Sequence, residues 1–273
     1  MTPRRPIVRY HGGKWKLAPW IISNFPEHRV YTEAFGGGGS VLLRKHPSYS
    51  EVYNDLDGEM VNLFRVVREH GAQLADLLRL TPFAREEYRD SFEVSDDPIE
   101  QARRTVIRSF MGFGSNALCR NINSGFRANS NRSGTIPAHD WANFPDCVPA
   151  LVDRLRGVVI ENRDAVEVML QHDGEETLHY ADPPYVHSTR TSAAHGHHGY
   201  NFELTDEQHA DLAVTIRGLK GAVVLSGYAC DLYDKELYKD WFRVERAAHA
   251  DGALDRVEVL WMNREPPQAR MFA

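Results

Sequence analysis

The spacing of hydrophobic positions changes along the chain, and each change marks an element. VYTEAF (30–35) alternates and is rich in strand formers, GGGGS (36–40) interrupts it, and VLLRKH (41–46) continues as a short helix. SEVYND (50–55) is a second strand, ending on Asp55. MVNLFRVVREHG (60–71) then sets Met60, Leu63, Phe64 and Val67 on one helical face and stops at Gly71. Strand, glycine turn, helix and a strand ending in acid have the layout of the first half of a nucleotide-binding α/β fold.

The rhythm breaks from about 72 to 156, where apolar helical stretches lead into SNALCRNINSGFRANSNRSG (115–134), rich in Asn, Ser, Gly and Arg. It resumes with GVVIENRDAVEVML (157–170), strand then helix, and with the strand LHYAD (178–182). TDEQHADLAVTIRGLKG (205–221) opens with a capping box, Thr205 with Gln208. AVVLSGY (222–228) has the unbroken apolar character of a buried parallel strand. RVERAAHA (243–250) and RVEVLWMN (256–263) alternate and predict a closing antiparallel hairpin. The expectation is one sheet domain in two pieces, 1–71 and 157–273, with 72–156 inserted between them.

Composition adds bounds. With 273 residues, 42% of them hydrophobic, the chain can build a large core. No stretch approaches the ~18 uninterrupted apolar residues of a membrane span, and the start, MTPRRPIVRYHGG, has no apolar secretory segment. Cys119, Cys147 and Cys230 are odd in number and far apart, which reads as reduced thiols of a cytosolic protein, not a disulfide framework or a zinc site. The net charge of −6 argues against a polyanionic partner until its distribution is considered. Between Glu100 and Asp140 there is no acidic residue, and Arg103, Arg104, Arg108, Arg120, Arg127 and Arg132 give that window +6. Local charge decides whether phosphates are attracted.

Three stretches carry candidate chemistry. Gly36 to Gly39 let the backbone approach a ligand at the start of the next helix. They match neither dinucleotide nor P-loop spacing. Asp55 is placed to accept from ribose hydroxyls, a role shared by dinucleotide and adenosyl-methionine sites, so it does not choose between them. RYHGGKWKL (9–17) offers a tight turn and Lys14 as a point charge, and by itself reads as a surface turn.

The third stretch is Asp182-Pro183-Pro184-Tyr185. Prolines cannot continue a sheet ladder, so the end of a core strand is stiffened beside a carboxylate and a phenol. An exocyclic amine on a base is a poor nucleophile because its lone pair is delocalised into the ring. Two fixed acceptors, the Asp182 carboxylate and the Pro183 carbonyl, favour the pyramidal nitrogen that can attack. Tyr185 can stack on the base, worth ~1–3 kcal/mol, comparable to the cost of extruding it from a duplex. AHGHHGY, with His195, His197 and His198, has poor metal-ligand spacing and reads as a polar loop; no metal is expected.

YHGGK (10–14), EAFGGGGS (33–40), Asn54-Asp55, DAVEVM (164–169), DPPY (182–185) and FELTDEQHADLA (202–213) follow an order that resembles the DNA adenine-N6 methyltransferases of the Dam type. The resemblance implies a Rossmann-like S-adenosyl-L-methionine-dependent domain with an inserted, mostly helical target-recognition domain. It implies a donor site lined by Tyr10, Lys14, Phe35, Gly36, Gly38, Asp55 and Asp164, with Asp182 between donor and target amine. It further implies double-stranded DNA as partner, a cytoplasmic enzyme, and in some members a restriction-modification setting. NALCRNINSGF (116–126) looks like the family's DNA-entering hairpin, and Arg120, Asn123, Arg127 and Arg132 are the candidate DNA contacts. No obligate protein partner is evident. Methylation of another planar amine, on cytosine or RNA, and a catalytically silent DNA- or nucleotide-binding protein stay open at this point.

Overall fold

The computed structural model describes residues 3–114, 118, 124–128, 134–189, 201–249 and 255–267. Seven strands form one sheet in the order β3-β2-β1-β4-β5-β7-β6. They are β1 (Val30–Glu33), β2 (Ser50–Asn54), β3 (Val158–Glu161), β4 (Thr177–Ala181), β5 (Ala222–Tyr228), β6 (Phe242–His249) and β7 (Asp255–Met262). The first five in spatial order are parallel, and β7 runs antiparallel to both β5 and β6. The closing hairpin forms as expected, and its second strand is the one that joins β5. β4 is buried throughout and β5 nearly so, which is why β5 reads as an apolar run.

Helices cover both faces. One apolar cluster gathers residues of α1 (Ala18–Ser23), α2 (Ser40–Arg44), α3 (Gly58–Leu80), α5 (Pro98–Met111), α6 (Pro137–Ala142) and α7 (Val148–Leu155), with Tyr88 of α4 (Arg85–Asp90). The other gathers α8 (Ala165–Gln171) and α9 (Asp206–Gly218) around Trp261 and Tyr233. α9 opens with the expected capping box, Thr205 exchanging hydrogen bonds with Gln208.

The helix expected to stop at Gly71 runs on to Leu80, bending at His70 (φ −130°, ψ 26°). Gly71 is there for a close crossing: a Cβ on it would lie 2.3 Å from Val152 Cγ2 of α7. The boundary expected between 71 and 72 lies beside the kink at His70. The described residues between 81 and 156 are largely helical and share α3's apolar cluster.

Strand order reverses between β1 and β4, so their carboxyl ends open side by side. Open α/β sheets bind ligands at that crevice. The glycine turn follows β1 and Asp182 follows β4.

Candidate active site

The glycine turn is fixed by its neighbours. Gly37 and Gly39 have positive φ (+45° and +59°), a region most side chains avoid. A Cβ on Gly36 would lie 2.3 Å from the Tyr53 ring, and one on Gly37 would lie 2.7 Å from Tyr10. The small residues thus let Tyr10 and Tyr53 close on the turn from two sides. Gly37 N–H donates to Asp55 Oδ2 at 2.6 Å, and Asp57 N–H donates to Asp55 Oδ1 at 2.7 Å. Burial nonetheless lifts the Asp55 carboxyl to about 6, against these two hydrogen bonds.

The sequence suggested that this turn presents backbone N–H groups to a ligand at a helix start. Several of the donors here are taken up within the protein: Gly36 N–H donates to Asn54 O and Gly39 N–H to Gly36 O, both at 2.7 Å. Gly37 serves Asp55, and Leu42 N–H at the start of α2 donates to Glu33 Oε2 at 2.8 Å. Glu33, at the end of β1, also accepts from the Tyr31 hydroxyl at 2.7 Å, and burial pushes it up to about 8.

A cleft of about 450 Å³ opens over this turn. Tyr10, Lys14, Phe35, Gly36, Gly38, Asp55, Asp164, Asp182 and Pro184 all line it, so one site gathers the residues that the sequence had scattered over 175 positions. Its far wall is the stretch Asn201–Leu204, tied across by Asn201 Nδ2 donating to Asp57 Oδ2 at 2.7 Å. Asp55, Asp57, Asp164, Asp182 and Glu203 line it with a single lysine, Lys14, and Glu33, pushed up to about 8, adds a carboxyl without charge at neutral pH. Phe35, Tyr10 and Phe202 add flat apolar surface. Such a lining suits a ligand with hydroxyls, a planar ring and positive charge, and it repels phosphates. The size and donor set therefore fit S-adenosyl-L-methionine, and the choice left open by Asp55 goes against a dinucleotide.

Asp182 is held from two sides. Ser226 Oγ donates to its Oδ1 at 2.7 Å and itself pairs with the Tyr180 hydroxyl at 3.0 Å. Lys14 Nζ lies 3.0 Å from Asp182 Oδ2 and 3.7 Å from Glu258 Oε1. The same ammonium sits 4.7 Å from the centre of the Tyr185 ring, a cation–π contact. Pro183 and Tyr185 are buried and do not line the cleft. Tyr185 meets it through Lys14, donates its hydroxyl to Glu258, and packs edge-on against Tyr228 at 4.7 Å.

Ser226, Tyr180, Glu33 and Glu258 went unread in the sequence. Glu258 had one visible signal, a lone acid inside the strand-forming run RVEVLWM.

The basic window is less free than its charge suggests. Arg103 and Arg104 pair with Glu100, Arg103 also with Glu87, and buried Arg108 pairs with Glu59 of α3. Acids from neighbouring segments thus take up three of the six arginines. Past Met111 the chain forms the foot of a hairpin, with a Gly112–Phe126 antiparallel bridge and Arg127 N–H donating to Met111 O at 2.7 Å. Arg127 stands at that foot; Arg120, Asn123, Arg132, His195, His197 and His198 lie outside the described residues. Among the described residues, no helix is long and apolar enough to cross a membrane.

Comparison with known proteins agrees with this geometry. The family of D12 class N6 adenine-specific DNA methyltransferases matches residues 10–251. A Type II methyltransferase of Lactococcus lactis subsp. cremoris, M1.LlaDCHI, is 28% identical over 259 residues, covering 87% of this chain and 85% of the relative. The DNA adenine methylase of Escherichia coli is 24% identical over 257 residues, covering 89% and 86%. The Type II methyltransferase M.MjaIII of Methanocaldococcus jannaschii is 25% identical over 265 residues, covering 85% and 87%. The family match spans most of the chain and leads to one assignment: the chain belongs to the D12 class of N6 adenine-specific DNA methyltransferases.

Proposed function

We propose that this adenine-specific DNA methyltransferase acts by base flipping and direct transfer, with S-adenosyl-L-methionine held in the acidic cleft. When bound, that donor supplies a methyl group on a sulfonium. Asp55 would take the ribose, Asp164 would lie near the adenine, and Tyr10, Lys14, Phe35, Gly36 and Gly38 would line the rest. The observation that carries the reading is the excess of carboxylates around one lysine at the switch point of the sheet, which favours a cation and disfavours phosphate.

Asp182 is braced by Ser226, so it can accept from the target amine without reorganising. The Pro183 carbonyl is the second acceptor, and the Pro183-Pro184 backbone keeps the two in register. Tyr185 stacks on the extruded adenine by giving up its Lys14 contact. The amine nitrogen forms its new bond to carbon as the sulfur takes the old bonding pair, and the excess proton leaves the nitrogen afterwards. No cysteine lies near the motif to form a covalent intermediate.

The insertion 72–156 is the target-recognition region in this reading. Its 116–126 hairpin reaches the DNA, with Arg120, Asn123, Arg127 and Arg132 on phosphates or base edges. The enzyme works on double-stranded DNA in the cytoplasm, without an obligate protein partner, alone or beside a restriction enzyme. Incubation with genomic DNA and labelled donor, followed by mapping of methylated bases, tests the reading. Methyl on adenine N6 within one sequence context, lost in Asp182→Ala, is expected. Methyl on cytosine, or Asp182→Ala at wild-type rate, overturns it.

A further inference from the structure

Glu258 is a carboxylate that the reaction as drawn does not use. It sits on β7, 3% exposed, a costly place for a negative charge. Such a group persists when it holds something in place, and Glu258 has two partners. The Tyr185 hydroxyl donates to it, and Lys14 Nζ stands 3.7 Å away.

Lys14 makes the arrangement informative. Its ammonium lies 3.0 Å from Asp182 Oδ2 and over the face of Tyr185. A nitrogen donor on Asp182, above that ring, is where the target amine has to come. Lys14 therefore occupies the amine's seat, and adenine can enter only if the ammonium yields it. The nearest anion that can receive the ammonium is Glu258, less than an ångström beyond hydrogen-bond reach. A small swing of a flexible side chain completes that bond, and Gly12 O, which accepts from Nζ at 2.8 Å, anchors the pivot.

We infer that Glu258 is a positioning residue for methyl transfer, receiving the Lys14 ammonium when the target amine takes Asp182 and fixing the Tyr185 ring through its hydroxyl. The inference rests on the function proposed above. Burial holds Glu258 above the ordinary carboxylate range; Lys14 opposes the rise and Asp182 adds to it. Other groups around it are Tyr185, Tyr180 of β4, Tyr228 opposite it on β5, and Arg246 opposite it on β6. Protonation of Glu258 removes the charge that draws Lys14 away, so turnover falls as acid reaches it.

The test uses the full chain as wild type, Glu258→Gln and Tyr185→Phe, with turnover followed against pH, donor affinity measured by calorimetry without DNA, and melting temperature. Glu258→Gln keeps an acceptor for Tyr185 and loses only the charge. We expect its turnover to drop about tenfold, as for a displaced reacting group, with donor affinity changed less than about twofold. The upper part of the wild-type acid limb is gone in it. Tyr185→Phe, which deletes one oxygen, lowers turnover by a comparable factor while binding donor normally. Wild-type turnover in Glu258→Gln, or a drop that keeps the full wild-type acid limb, overturns the inference. Should Glu258→Gln fail to fold, wild-type turnover in Tyr185→Phe does so. A wild-type chain that transfers no methyl group fails the function and this inference together, whereas an active wild type with an unaffected Glu258→Gln fails the inference alone.

Discussion

Two buried lysine–carboxylate clusters sit at opposite ends of the parallel strands, and their stoichiometry differs. At the amino end, one acid serves two cations. Glu51 accepts from Lys45 at 2.6 Å and from both Arg154 terminal nitrogens at 2.6 and 2.9 Å. Lys45 spends its remaining donors on His46 O and Ser48 Oγ, and Arg154 also reaches Leu42 O. A lysine has three donors, and here all three are used. At the carboxyl end one cation serves two acids, and the second lies 3.7 Å away. The first cluster is a tie that has no reason to move. The second has a spare anion, and it borders the cleft. Satisfied charge marks structure in this fold, and surplus charge marks function.

Deleting the acid at each end should break the molecule in different ways. Glu51→Ala leaves Lys45 and Arg154 buried without a counter-ion, which costs about 3–5 kcal/mol. Denaturant unfolding should show that loss, while molecules that remain folded turn over normally. Asp182→Asn should do the opposite, lowering turnover by about 10²–10³-fold, the usual cost of removing a preorganised electrostatic group. Its melting temperature should stay near wild type, since the amide oxygen can face Lys14 while the amide NH2 donates to Ser226 Oγ, and Glu258 still stands beside the ammonium. If Asp182→Asn unfolds the protein and Glu51→Ala silences a stable one, the contrast between the two clusters is wrong.

A third substitution tests the frame between them. Gly71→Ala improves helix propensity by about 1 kcal/mol. Its new methyl, however, would sit 2.3 Å from Val152 Cγ2. Overpacking of that kind costs about 1–3 kcal/mol, so a net loss in unfolding free energy is expected. Gly71→Ala with raised stability would mean that α3 and α7 can separate at little cost.

The same glycine shows what the sequence could disclose. Local signals were legible because the chemistry that makes them is local. Thr205 and Gln208 cap α9 within four residues, and the run of four glycines after β1 marks its own turn. The Asp-Pro-Pro-Tyr motif was legible because its rigidity is in its own backbone. Gly71 carried a true local stop signal, and the helix does break beside it, at the His70 kink, before resuming toward Leu80. Ser226 and Glu258 acquire meaning only from sheet register. They meet Asp182 and Lys14 because β5 lies beside β4 and β7 beside β5, a pairing that no short stretch contains. Arg108 counted toward the basic window for a related reason, since its partner Glu59 stands on another helix.

The finest distinction between the two ends is in how each responds to pH. Hydrogen bonds from Arg154 and Lys45 outweigh burial and hold Glu51 below its ordinary 4.5. The unfolded chain therefore takes up that proton first as pH falls, and the stability Glu51 contributes is lost on the acid side, below about 4.5. Glu33, in the cleft wall, is raised by burial from 4.5 to about 8. Between those values the folded chain holds a proton that the unfolded chain has released, so stability falls as pH rises across the interval. Asp55 adds the same sign between 3.8 and about 6. Unfolding free energy measured from pH 2 to 9 should thus decline on both sides, for reasons at opposite ends of the sheet. Glu33→Gln should flatten the alkaline decline and leave the acid one, and Glu51→Gln should do the reverse at a lower overall stability. A wild-type curve that rises from pH 5 to 8, or one whose alkaline slope survives in Glu33→Gln, would mean that the cleft acids ionise freely without donor. The surplus negative charge would then be solvated, not held in reserve for a cation.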